Sequence, residues 1–64
     1  MQLELITDED FKFAIESGQT VSYLSTDFIG SGPISRYTSD SVQIDGNLFL
    51  RSEFKFFIEK AILH

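Results

Sequence analysis

The chain has 64 residues, ten acidic side chains against five basic ones, a net charge of −5 and no cysteine. That length allows one domain over 1–64 and a core burying roughly 60% of the surface the unfolded chain exposes. The missing thiols exclude disulfides and cysteine-based zinc sites, and the acidity argues against general binding to a phosphate backbone, which needs clustered Lys and Arg.

The opening MQLELITDEDF has no basic segment or cleavage pattern, so it does not read as a signal peptide. No apolar run approaches the ~20 residues of a membrane span. The expected location is the cytoplasm, with no membrane partner. Gln2–Ile6 is partly alternating and reads as a short edge strand or an extended lead-in. Thr7 is placed to cap a helix over 8–17, because its hydroxyl can accept a free backbone N–H. Asp8, Glu9 and Asp10 fill the first turn, where negative charge suits the helix dipole. Ile6 and Phe11 have the spacing of a hydrophobic staple. Phe11, Ala14 and Ile15 form the apolar stripe, Phe13 lies off it, and Gly18 ends the helix in the left-handed region.

Thr20–Thr26 is rich in β-formers and reads as a strand. Asp27–Pro33, with Gly30, Gly32 and Pro33, reads as a loop or bulged turn. Ile34–Thr38 is the next strand, followed by a compact polar turn through Ser41. Ser41–Arg51 reads as a β-hairpin with Asp45-Gly46-Asn47 at its tip. A two-residue loop would pair Ile44 with Asn47 and send Leu48 and Leu50 to the face opposite Val42 and Ile44. A three-residue loop gathers Val42, Ile44, Leu48 and Leu50 on one core face and leaves Gln43, Phe49 and Arg51 on the other. Burial favours the three-residue loop. In the last segment Phe54, Phe57, Ile58, Ala61 and Ile62 form a helical stripe, with Ser52 as a cap. A strand with Phe54, Phe56 and Ile58 on one face matches fewer positions, which favours a C-terminal helix.

The expected fold is therefore α+β: an N-terminal helix, a three- to four-stranded antiparallel sheet with a 42–50 hairpin, and a C-terminal helix. Three stretches, Val21-Ser22-Tyr23-Leu24, Gly32-Pro33-Ile34-Ser35-Arg36-Tyr37-Thr38 and Ser41-Val42-Gln43-Ile44-Asp45-Gly46, carry a second reading. Their order resembles the small SH3-like and Sm-like barrels over about half the chain. The resemblance implies a barrel closed by a C-terminal strand, and it raises RNA binding, since Sm-like proteins commonly bind RNA.

No catalytic, metal or cofactor signature is present. Asp8-Glu9-Asp10 reads as a satisfied helix start, since consecutive helical residues diverge around the axis. Gly30-Ser31-Gly32 lacks the Lys and the following helix of a phosphate loop. His64 is the single histidine and stands at the end of the chain, which speaks against histidine-based triads. Arg36, Tyr37 and Arg51, with Phe49, form a candidate basic–aromatic patch for single-stranded nucleic acid, against which the nearby carboxylates count. Phe28, Phe49 and Phe56 fit neither apolar stripe and mark a candidate contact surface. The expected function is thus a non-enzymatic protein–protein interaction module, an accessory or regulatory protein of bacterial or phage type. Its partner would be another protein or a second copy of itself, with no small-molecule substrate. A nucleic-acid-binding barrel or an acidic nucleic-acid mimic is the alternative.

Overall fold

The computed structural model describes residues 2–59. β1 is Gln2–Leu5, α1 Asp8–Ser17, β2 Thr20–Leu24, β3 Ile29–Tyr37, β4 Ser41–Ile44, β5 Asn47–Leu50 and β6 Lys55–Glu59. The six strands form one sheet in the order β1-β6-β2-β3-β4-β5, with every neighbouring pair antiparallel. The sheet is open, with β1 and β5 as its edges.

α1 begins and ends where the residue chemistry requires. The Asp10 amide donates to Thr7 Oγ1 at 3.2 Å, and Asp10 Oδ2 accepts from the Thr7 and Ile6 amides at 3.0 and 2.9 Å. This reciprocal box satisfies amides that a helix start leaves free. Those backbone donors, Thr7 before Ile6, hold the Asp10 carboxyl below its usual pKa. Gly18 closes the helix at φ 68°, its amide bonded to the Ile15 carbonyl. Phe11 and Ala14 are buried and Ile15 packs against the core, while Phe13 is exposed. Ile6 is exposed too, so the expected staple is not what fixes the helix entry.

β3 corrects the expected glycine loop. Ile29–Pro33 pairs with β2 residue by residue, Tyr23 facing Gly30 and Val21 facing Gly32. Both glycines lie on the core face, where other chain groups occupy their side-chain space. A Cβ at position 30 would stand 2.5 Å from the Tyr23 hydroxyl oxygen, and one at position 32 would stand 3.1 Å from Ile44. The glycines are strand residues at close approaches, not a loop. Past Pro33 the strand changes partner to β4, with Ser35 as an extra residue between the Ile34–Ile44 and Arg36–Gln43 pairs. Such a bulge bends the strand and sharpens its twist.

The hairpin takes the two-residue turn. Ile44 pairs with Asn47, Val42 with Phe49 and Ser41 with Leu50. Asp45 and Gly46 both have positive φ, 52° and 81°. That is the backbone of the primed turns, whose twist matches the flanking strands, and Asp-Gly is one of their preferred pairs. The expected core membership of Leu48 and Leu50 is therefore wrong, and Leu48 is 65% exposed. Phe49 stands on the same face as Val42 and Ile44. Burial, which favoured the other register, is satisfied by the aromatic instead of the leucines.

The expected C-terminal helix is absent as well. Arg51–Glu53 is a turn and Lys55–Glu59 is β6, a strand held on both sides, by β1 and by β2. Phe56 and Ile58 point into the core, and Phe57 stands on the opposite face. A two-sided strand carries apolar groups on both faces, so its hydrophobic spacing imitates a helix. The strand of the barrel reading does form, but the open sheet does not close a barrel. Ala61, Ile62 and His64 lie outside the described residues.

The core is Leu5, Phe11, Ala14, Val21, Ile34, Val42, Ile44, Phe56 and Ile58. Seven aromatic rings run through and beside it in one connected series. From Tyr37 it passes to Phe11 (6.0 Å between centroids), Phe56 (5.5 Å) and Phe54 (6.3 Å), and from Phe54 to Phe49, Tyr23 and Phe28. Tyr23 and Phe49 approach to 4.1 Å although two strands separate β2 from β5 in the sheet. The bend of β3 and the bare glycine positions permit that curl. Among the described residues no helix is long and apolar enough to cross a membrane.

Candidate protein-binding surface

The β2–β3 connection forms a four-residue tip. The Ser25 amide donates to the Phe28 carbonyl at 2.8 Å, and the Phe28 amide donates to Ser25 Oγ at 3.2 Å. With its backbone pinned from both directions, Phe28 turns its ring outward and is 64% exposed. One side of that ring lies over Phe54, 6.4 Å away, and Phe54 in turn packs on Tyr23, Phe49 and Phe56. An exposed aromatic is thereby backed by a chain of rings that ends in the core.

Ile29 follows at 82% exposure and pairs across the hairpin with Leu24, also exposed. Strand alternation sends both to the sheet face away from the core, where Phe57 also stands, in register with Ser22. The small side chains of Ser22 and Ser31 leave a depression of about 460 Å³ lined also by Leu24, Ile29, Phe57 and Gln2. A second depression of about 350 Å³ wraps the tip between Phe28, Phe54, Asp27 and Glu53. Leu24, Ile29 and Phe57 thus form an apolar strip on the outer face, next to the tip where Phe28, over Phe54, is bordered by Asp27 and Glu53. An apolar centre with a polar rim is the common anatomy of a protein contact.

The residues singled out by sequence separate. Phe28 stands at the tip beside this strip, over Phe54. Phe56, at 2% exposure, is core and is closed to any partner. Phe49 is half-buried against Tyr23 and Phe54, on the core side rather than beside a free Arg51. Tyr37 is half-buried and stacked on Phe11. Arg36 is exposed on the opposite face, next to Gln43.

Arg51 is built into the structure. Its Nη1 donates to Asp8 Oδ1 at 2.6 Å and to the Thr38 carbonyl at 2.7 Å, and its Nη2 donates to the Ile6 carbonyl at 2.9 Å. The guanidinium carbon lies 4.5 Å from the Phe11 ring centroid. One side chain ties the start of α1, the chain before it and the β3–β4 turn to the aromatic core. Arg36, Tyr37 and Arg51 therefore share no single face.

Among the described residues no three His, Asp or Glu side chains converge as metal ligands, and no polar or charged side chain is buried. Asp8 faces Arg51 and Asp10 caps the helix, so the acidic turn is occupied by the fold itself. Leu24, Ile29 and Phe57 escaped the sequence reading. Their signal was the alternation of Ser22 with Leu24, and it becomes legible only once Ile29 is known to be in a strand. No family model, curated protein or solved structure matches the chain.

Proposed function

We propose that this chain is a non-catalytic protein–protein interaction module that binds its partner through the β2–β3 tip and the strip beside it. The observation that carries this reading is the placement of Leu24, Phe28 and Ile29. Three large apolar side chains stand exposed together on a hairpin that is itself hydrogen-bonded and backed by Phe54. Aromatic anchors held rigid before binding lose little entropy on contact, which is why they dominate interface energies. The depression floored by Ser22 and Ser31 fits an apolar side chain of the partner. Asp27 and Glu53, which border the separate depression around Phe28, favour basic groups of the partner at the tip, as does the net charge of −5.

The nucleic-acid reading gains less support, because Arg51 is engaged by Asp8 and Tyr37 lies on the Phe11 side. One comparison separates the readings. Immobilised wild-type chain and a Phe28→Ser/Ile29→Ser variant are offered the same cell extract, and each is also titrated with single-stranded RNA and DNA at low salt. Recovery of one stoichiometric protein by the wild type and not by the folded variant supports the proposal. Equal recovery by both overturns it, as does salt-sensitive nucleic-acid binding that the two substitutions leave intact.

A further inference from the structure

The two edges of the sheet differ in a way that points to self-association. β1 carries Glu4 and has Glu59 of β6 in register with Gln2. β5 reads Asn47-Leu48-Phe49-Leu50, without charge, proline or bulge, and Leu48 and Leu50 stand exposed on its outer face. Protein edges are ordinarily blunted by charge, proline or bulges, and an edge without them is a template for another strand.

The register fixes which backbone groups that edge offers. A two-residue hairpin closes with Ile44–Asn47 as a hydrogen-bonded pair, so Val42–Phe49 is the next such pair. Leu48 and Leu50 then aim their peptide groups away from β4. The Leu50 carbonyl is already taken, accepting from the Glu53 and Phe54 amides at 3.1 and 3.2 Å. The Leu48 amide, the Leu48 carbonyl and the Leu50 amide remain directed outward.

We propose that a second copy of this chain pairs there, β5 against β5, antiparallel about a two-fold axis at Leu48. In that register each Leu48 donates to and accepts from its counterpart, and each Leu50 amide meets the Gly46 carbonyl of the other copy. This leaves the occupied Leu50 carbonyl undisturbed. The exposed leucines meet one another on the outer face, across the axis and diagonally. A head-to-tail pairing of β5 on β1 would instead set Leu48 and Leu50 beside Gln2 and Glu4. Like meets like only in the two-fold arrangement, which also closes at two copies. The tip at Phe28 is not part of this contact.

Sedimentation of the full chain between about 10 μM and 1 mM, a range suited to small interfaces, tests the proposal. The mass is expected to rise from 7.3 kDa toward twice that value. Leu48→Lys, with its fold checked by circular dichroism, is expected to stay monomeric over the same range. With no native cysteine to interfere, Leu48→Cys should cross-link to a dimer on oxidation. Leu50→Cys should not, since its two copies would stand about 14 Å apart along the strands. A wild-type chain that stays at 7.3 kDa, a dimer that Leu48→Lys leaves intact, growth beyond two copies, or equal cross-linking at both positions would each overturn it.

Discussion

Arg51 illustrates how one side chain acquires several duties in a small domain. The helix start, the segment before it and the β3–β4 turn all present oxygens to the same guanidinium, and the Phe11 ring lies against it. The planar fork serves these partners together, which a single ammonium cannot do. Arg51→Met is expected to remove about 2 kcal/mol of stability, and Arg51→Lys to restore less than half. Urea unfolding followed by fluorescence or circular dichroism reads both. In a domain whose core supplies only about 3–5 kcal/mol, that is a large share. Asp10 acts at the other side of the same helix start. Its pKa is lowered in the folded chain, so its contribution is present above the unfolded carboxyl's pKa and disappears as pH falls through the lower folded value. Asp10→Asn keeps an acceptor for the Thr7 and Ile6 amides but cannot titrate. Its stability is therefore expected to decline less steeply than wild type below about pH 4, as measured by melting temperature against pH. An unchanged slope would show that other carboxylates carry the acid sensitivity.

At the level of elements, legibility followed locality. α1 could be read to both ends because its signals are local: Thr7, the three acids, the stripe and Gly18 act within a turn of their positions. β3 and β6 could not. Gly30 and Gly32 resemble loop residues until Tyr23 and Ile44 are found in the space their side chains would take. Phe54, Phe57 and Ile58 have helical spacing, yet the groups that decide are Val21 and Leu3, which flank Ile58 on neighbouring strands. The hairpin was legible as a hairpin, and its local turn chemistry pointed to Asp-Gly. Burial was assigned to the wrong partners, because Phe49 has its pocket against Tyr23, a residue 26 positions earlier. The same logic divides two of the candidate aromatics, Phe56 and Phe28. Phe56→Ala removes a fully packed ring from a central strand and is expected to cost about 3–5 kcal/mol, enough to leave the chain largely unfolded at 25 °C. Phe28→Ser is expected to shift stability by less than about 1 kcal/mol. Parallel thermal melts of the two variants check both values.

For the molecule as a whole, the consequence of the register is a division of surfaces. The inner face holds the ring series and α1. The outer face carries Leu24, Ile29 and Phe57 near the β2–β3 tip and Leu48 and Leu50 at the β5 edge. Of the candidate site, sequence alone made Phe28 legible, because an aromatic between turn residues fits no stripe. The rest depends on which strands pair. The contact proposed for the β5 edge rests on Phe49 facing inward and Leu48 outward, and that follows from a two-residue turn at Asp45-Gly46. A nuclear Overhauser spectrum of the chain in solution tests it directly. Gln43 and Leu48 form a non-hydrogen-bonded pair in this register, whose α-carbons approach to about 4.5 Å. A strong Hα–Hα cross-peak between Gln43 and Leu48, with Phe49 ring protons near Tyr23, is the expected result. Side-chain cross-peaks from Leu48 and Leu50 to the Val42 and Ile44 methyls, with Ile44 paired to Leu48 in place of Asn47, would contradict the account.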